Sequence, residues 1–435
     1  MNNSHPKFNE NYTTAIAKDK ACCWHPFTRQ DEWTSDDHSP VMIESGQGAW
    51  LTDLQGNEYI DGNASIWTNI HGHNHPALNE AITEQLGKVA HSSYLGFGHK
   101  LASDLAEKLV SFFPDSDLQR VFYSDDGSTA VECAMKMALQ YRIQNGEEER
   151  VEFVAFDNGY HGDTLGAASL GGLEAFFSRF RKFGVTVHFV KSVDEFHSLN
   201  ANKIAAVIIE PLVQGVNQIN VWKSGMLREL RNWTSAKQCH LILDEVMTGF
   251  GRTGSMFACQ QEEVVPDFLC LAKGLTGGYM PMAATLVTET IYDGFLGDAS
   301  RAFYYGHSYT ANPLGCAVAL ASLDVFEKEN TLVGVREKSA YLAERLSLLK
   351  QNNPNIHEIR RVGLVTGIEI RHADGNAYEK AERMGEKVCE VARKYQLLTR
   401  PILDTIVFLP PLCITRDEMN IALTAIDQAV RDVCG

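Results

Sequence analysis

Three runs between residues 205 and 273 decide the fold: Ala205-Ala206-Val207-Ile208-Ile209-Glu210, His240-Leu241-Ile242-Leu243-Asp244-Glu245 and Phe268-Leu269-Cys270-Leu271-Ala272-Lys273. Each is a short apolar run that ends in a charged residue, the pattern of a strand buried on both faces. Glu210 and Asp244 are 34 residues apart, and Asp244 and Lys273 are 29 apart. Each interval fits one strand-helix-strand unit of about 30 residues. Ligands in parallel sheets bind beyond the carboxyl ends of the strands, so these spacings predict two acids and a lysine on one rim.

Outward from this stretch, further apolar runs at residues 120–123 and 151–156 alternate with helical patterns. The reading is α/β: a mostly parallel sheet with helices on both faces. Residues 76–330 form the expected large domain and 331–435 a small α+β domain. In the latter, a charged helix over 378–395 turns Met384, Val388 and Val391 inward, and strands follow at 397–400 and 406–409. Thr415 and Glu418 form a capping box before a last amphipathic helix with Met419, Leu423, Ile426 and Val430 inward. Residues 1–75, punctuated by Gly46, Gly48, Gly56 and Gly62, are expected to pack beside the small domain.

The chain has 435 residues, 44% hydrophobic and 22% charged, which excludes a disordered, collagenous or coiled-coil protein. A net charge of −16 disfavours nucleic acid and anionic membrane surfaces as partners. The ten cysteines include no C-x-x-C pair, so no zinc ribbon or dithiol site is indicated. The polar N-terminus and the lack of a long apolar run predict a soluble, cytoplasmic protein.

Lys273 is the only charged residue between Asp267 and Glu289. Apolar surroundings disfavour its ammonium form, and a neutral amine can form an imine with an aldehyde. The same residues also allow a buried Lys273–Asp244 pair in a non-catalytic or metal-binding protein. Ser124-Asp125-Asp126-Gly127-Ser128-Thr129 leads from a strand into a helix with Val131, Ala134, Met135 and Ala138 inward, and free N–H groups at such a start suit a phosphate monoester. A lysine for an aldehyde, an acid for a ring nitrogen and a phosphate cradle together point to pyridoxal phosphate. Tyr160, in the loop Asp157-Asn158-Gly159-Tyr160-His161-Gly162-Asp163, is either a ring-stacking residue or a core aromatic. His71, His73 and His75 alternate, but the run holds no acid or cysteine and enters a helix at Pro76, so no metal is expected.

Several motifs carry a resemblance: Trp24-His25-Pro26-Phe27-Thr28, Asn158-Gly159-Tyr160-His161-Gly162-Asp163-Thr164, Asp244-Glu245-Val246-Met247-Thr248-Gly249-Phe250-Gly251-Arg252-Thr253-Gly254, Lys273-Gly274-Leu275-Thr276-Gly277-Gly278 and Arg400-Pro401. Over nearly the whole chain the sequence resembles the class III pyridoxal-phosphate aminotransferases of fold type I. It is most similar to the branch that aminates 8-amino-7-oxononanoate in biotin biosynthesis; an ω-amino acid or ornithine-type aminotransferase is the alternative within the class. The resemblance implies Lys273, Asp244 and Tyr160 as catalytic residues. It implies cofactor contacts at Gly127, Ser128, Tyr160, His161, Glu210, Asp244, Lys273 and Ser308, the last reaching across a homodimer interface. Substrate contacts fall to Phe27, Trp67, Tyr160, Gly306 and Arg400, with Arg400 anchoring a carboxylate. Members that use S-adenosylmethionine as amino donor carry tyrosine where this chain has Phe27 and tryptophan where it has Ile66, so the resemblance leans towards L-lysine.

Overall fold

The computed structural model describes residues 5–435, with the backbone alone for residues 5–10. A seven-stranded sheet organises the large body. Its strands are β1 (Leu118–Ser124), β2 (Glu152–Phe156), β3 (Val187–Val190), β4 (Ile204–Ile209), β5 (His240–Asp244), β6 (Phe268–Leu271) and β7 (Ala283–Thr288), in spatial order β1-β7-β6-β5-β4-β2-β3. Neighbours from β6 through β3 run parallel, whereas β7 lies antiparallel to both β6 and β1. The charged strand ends therefore converge, although the Asp244–Lys273 interval holds a 3-10 turn at Ala258–Glu262 where a helix was expected. Because β7 is reversed, its leading edge joins the same rim.

The central strands β4, β5, β6 and β7 are buried on both faces, and their residues alternate between two cores. Val207, Ile209, Leu241, Leu243, Leu269 and Leu271 face one cluster. Ile208, Ile242, Phe268 and Cys270 face the other, under the helix Gly127–Gln144 with Val131, Ala134, Met135 and Ala138. That helix starts where Asp126 and Thr129 close a capping box: Thr129 N donates to Asp126 Oδ1 at 2.9 Å and Asp126 N to Thr129 Oγ1 at 3.1 Å.

Two strands of this sheet, β7 and β3, were not expected from the sequence, nor were Ile356–Val362 and Val365–Ile370 of the small domain. β7 begins Ala-Ala-Thr, a weak strand signal, yet all six of its residues are buried and the Thr285 hydroxyl donates to Ala130 O at 2.9 Å. β3 is a four-residue edge strand containing a histidine. The helix expected over 378–395 is also shorter: a 3-10 turn spans Lys380–Glu382, Arg383 has φ 52°, and the α-helix runs only Met384–Ala392. The capping box between Glu379 and Glu382 closes a separate turn, which breaks the helical register.

The last helix, Arg416–Cys434, starts at the Thr415–Glu418 box as read from sequence. It lies in the same core as the four-stranded antiparallel sheet built from Ile356–Val362, Val365–Ile370, Pro401–Ile402 and Thr405–Phe408. A second small sheet joins the two ends of the chain, since Glu58–Asp61 pairs in parallel with Leu397–Leu398. Among the described residues no helix is long and apolar enough to cross a membrane.

Candidate active site

The strand ends open into a cavity of about 390 Å³, within the usual range for small-molecule sites. Gly127, Ser128, Tyr160, His161, Glu210, Asp244, Lys273 and Trp67 all line it. Met280, Pro281 and Met282 line it too, delivered by the reversed strand β7. Their absence from the sequence reading has the same cause as the absence of β7. Val246 is a further lining residue; a Cβ at Gly127 would come 2.7 Å from its Cγ1, so only glycine lets the helix start pack this close.

Asp244 is not paired with Lys273. Its Oδ2 takes a hydrogen bond from buried His161 Nδ1 at 2.8 Å, and its Oδ1 accepts from Val246 N at 3.2 Å. The alternative in which Lys273 and Asp244 form a structural ion pair is therefore corrected. Lys273 Nζ lies 4.8 Å from the centre of the Trp67 ring instead. Burial lowers its pKa to about 8, opposed by the charges of Asp244 and Glu210. Lys273 itself holds φ 43°, a left-handed conformation that side chains disfavour.

Glu210 is the second buried acid. Its Oε1 accepts from Tyr160 N at 3.2 Å and its Oε2 from Gly215 N at 2.8 Å, so it ties together two loops of the rim. Burial raises its pKa to about 7. Tyr160 donates its hydroxyl to Asp163 Oδ2 at 2.5 Å, and burial followed by that carboxylate pushes the phenol up. At the helix start, Ser128 Oγ accepts from Asp163 N at 3.0 Å. The amides of Gly127 and Ser128 precede the first intrahelical bond and have no acceptor among the described residues.

Four residues expected in the site do not line this cavity. Phe27 is 60% exposed and packs on Phe176, 5.8 Å between ring centres. Arg400 is exposed on the small sheet. Gly306 and Ser308 are exposed beside the cavity mouth, where His307 Nε2 sits 3.7 Å from Asp125 Oδ1. The three alternating histidines part company: His71 meets Ser322 Oγ, His73 meets Asp61 and His75 meets Glu329.

The class-III aminotransferase family profile matches residues 33–430. The chain belongs to the class-III aminotransferases. Adenosylmethionine-8-amino-7-oxononanoate aminotransferase of Nitratidesulfovibrio vulgaris is 43% identical, an alignment covering 95% of this chain and 80% of that protein. The crystal structure of the enzyme of the same name from Methanocaldococcus jannaschii superposes with a TM-score of 0.93 at 37% identity, covering 97% of this chain and 99% of that one. An amine transaminase from an uncultivated Pseudomonas species, solved with pyridoxal phosphate bound, gives 0.88 at 32% identity over 95% and 99% of the two chains. This class-III chain fits that cofactor on its own residues: two free helix-start amides at the cavity suit a phosphate, and a buried, His161-held carboxylate suits a ring nitrogen.

The Lys273 amine generates a pH prediction. The folded chain releases its proton near pH 8, the unfolded chain near 10.5. Between these values the unfolded chain binds more protons, so this group adds stability as pH rises through the window and costs stability below it. In protein freed of bound small molecules, acylation of Lys273 should rise with a midpoint near pH 8, well before exposed lysines react, as read by peptide mass spectrometry. A midpoint with the exposed lysines contradicts the burial effect.

Proposed function

We propose that the chain transfers an amino group to 8-amino-7-oxononanoate, giving 7,8-diaminononanoate for biotin biosynthesis. The carrying observation is a lysine amine with lowered pKa beside a carboxylate already engaged by a histidine, in a chain 43% identical to a relative named for this acceptor. Pyridoxal phosphate is the cofactor, and when bound it supplies an aldehyde and an electron-withdrawing ring. Gly127 N, Ser128 N and the Ser128 hydroxyl would hold its phosphate. Asp244 would keep a proton on the cofactor's ring nitrogen, and the hydrogen bond from His161 fixes the carboxylate in place. Lys273 Nζ, able to lose its proton near pH 8, would serve as the group that holds and moves a proton at the reacting carbon. Glu210 holds Tyr160 over the site through its backbone amide, and Trp67 closes the opposite wall and excludes water.

The assembly we infer is a homodimer. Leu95 and Phe97 are 78% and 73% exposed, and Tyr304 and Tyr309 are 85% and 60% exposed. The two segments are fastened together: the His91 and Tyr309 rings lie 4.6 Å apart, and His99 Nε2 donates to Ala311 O at 2.7 Å. They make one apolar face beside the cavity mouth that carries Gly306 and Ser308, and a second copy covers it. On that reading Ser308 reaches the partner's phosphate site. Arg400 would anchor the acceptor's carboxylate once the interface closes the mouth.

For the amino donor, the relatives' names specify S-adenosylmethionine, whereas Phe27 and Ile66 favour L-lysine. Both side chains are exposed in the single chain, so they act on donor choice as part of the closed mouth.

Turnover of 8-amino-7-oxononanoate with each donor in turn tests acceptor and donor together. The acceptor should be preferred over pyruvate and 2-oxoglutarate, and L-lysine should convert the cofactor faster than S-adenosylmethionine in stopped flow. A preference for pyruvate would place the chain with the amine transaminases instead; faster conversion by S-adenosylmethionine would overturn the lysine reading. Asp244→Asn, which keeps shape and loses charge, should slow turnover by about a hundredfold or more with the fold intact.

Association gives a further expected outcome. Leu95→Asp should weaken self-association in sedimentation and lower cofactor retention in parallel. A monomeric variant that retains cofactor and full activity would refute the shared site.

A further inference from the structure

Ala64, Ser65, Ile66 and Trp67 have φ of 43°, 49°, 63° and 70°, and Ser65 and Ile66 have ψ of 50° and 51°. This is one turn of left-handed helix without a glycine. Trp67 N donates to Asn63 O and Thr68 N to Ala64 O, both at 2.9 Å. L-side chains crowd the following carbonyl in this conformation, so the turn does not hold itself. Strain of this kind persists only where the surroundings over-determine it.

The turn ends on Trp67, the cavity wall that faces Lys273. Two buried groups outside the turn hold it: Arg252 Nη2 donates to Trp67 O at 3.2 Å, and the carboxylate of Asp61, which is 3% exposed and lies outside the cavity, holds the start of the turn. Asp61 Oδ1 accepts from Ser65 N at 3.1 Å and from Asn63 N at 3.3 Å. Asp61 Oδ2 accepts from Ser65 Oγ at 2.9 Å and from His73 Nε2 at 3.0 Å. His73 is itself oriented, because Asn69 Nδ2 donates to its Nδ1 at 3.0 Å. The ring wall is pinned at its other end as well, with Trp67 Nε1 donating to Asn63 Oδ1 at 2.8 Å. Behind it the fit is tight: a Cβ at Gly215 would lie 2.9 Å from the Trp67 ring.

We propose that Asp61, seated through Ser65 and His73, is a positioning residue that holds this left-handed turn and thereby sets Trp67 as the wall that determines acceptor affinity. The proposal rests on the cavity being the substrate site. Asp61 touches neither substrate nor cofactor, so its effect falls on binding common to ground and transition states.

The test uses the cofactor-loaded enzyme and a glycine rescue, since glycine takes positive φ at no steric cost. Asp61→Ala should raise the acceptor KM about tenfold with kcat within about threefold, and should speed hydrogen exchange of the amides at 63–69. Adding Ser65→Gly in that background removes no remaining partner and relieves the turn. It should recover most of the KM increase and slow the exchange again. An unchanged KM in Asp61→Ala, or a raised KM and fast exchange that Ser65→Gly leaves in place, would overturn the proposal. If Asp61→Ala does not fold, Asp61→Asn keeps the shape and is read by the same two measurements. The exchange measurement needs no substrate, so it tests the turn even if the acceptor assignment fails, and the visible band of the bound cofactor in the parent enzyme reports separately on the site.

Discussion

Putting charge where water is excluded is the constraint on which this molecule turns. Parallel strands bring Glu210, Asp244 and Lys273 to one rim, and each would be better solvated elsewhere. The three meet that cost in different ways. Asp244 takes a hydrogen bond from a buried histidine, Glu210 takes two backbone amides and is held closer to neutrality, and Lys273 is pushed towards its neutral form. A lysine that found a carboxylate partner would be a stable but unreactive ammonium. Denying it that partner leaves an amine available near neutral pH.

The rest of the fold serves to make that arrangement affordable. Both faces of the sheet are buried against separate cores, which fixes the strand ends to within side-chain packing distance. Loops then bring polar backbone to the rim: the capping box at Asp126 opens a helix with two free amides, and Glu210 fastens the Tyr160 loop. The strain carried by Lys273 and by the turn at Ala64–Trp67 is of the order of 1–2 kcal/mol per residue, and at the turn it is tolerated because buried hydrogen bonds surround it.

Most of the catalytic rim was legible because strand-end chemistry is local: an apolar run followed by an acid or a lysine announces both the element and the residue. Trp67 was reached through the family pattern, and the structure gives it a place opposite the lysine. What the sequence hides is reversal and handedness. Nothing in Ala283-Ala284-Thr285 distinguishes a buried antiparallel strand from a loop, so Met280 to Met282 stayed invisible as cavity lining. Four ordinary L-residues at 64–67 give no sign of a left-handed turn, since the groups that hold it, Asp61, His73 and Arg252, lie outside it. Phe27, Gly306, Ser308 and Arg400 failed to reach the cavity for a different reason. Each is exposed in the single chain, and the homodimer proposed above is what would bring them to a site.

The central claim is that the unpaired amine of Lys273 is the group that holds the cofactor. Borohydride reduction of the purified enzyme, followed by peptide mapping, measures this directly, because it makes the link between cofactor and amine permanent. The expected result is a single modified peptide carrying the cofactor on Lys273, with loss of the visible band in proportion. A label on any other lysine, or reduction that leaves Lys273 unmodified, would contradict it.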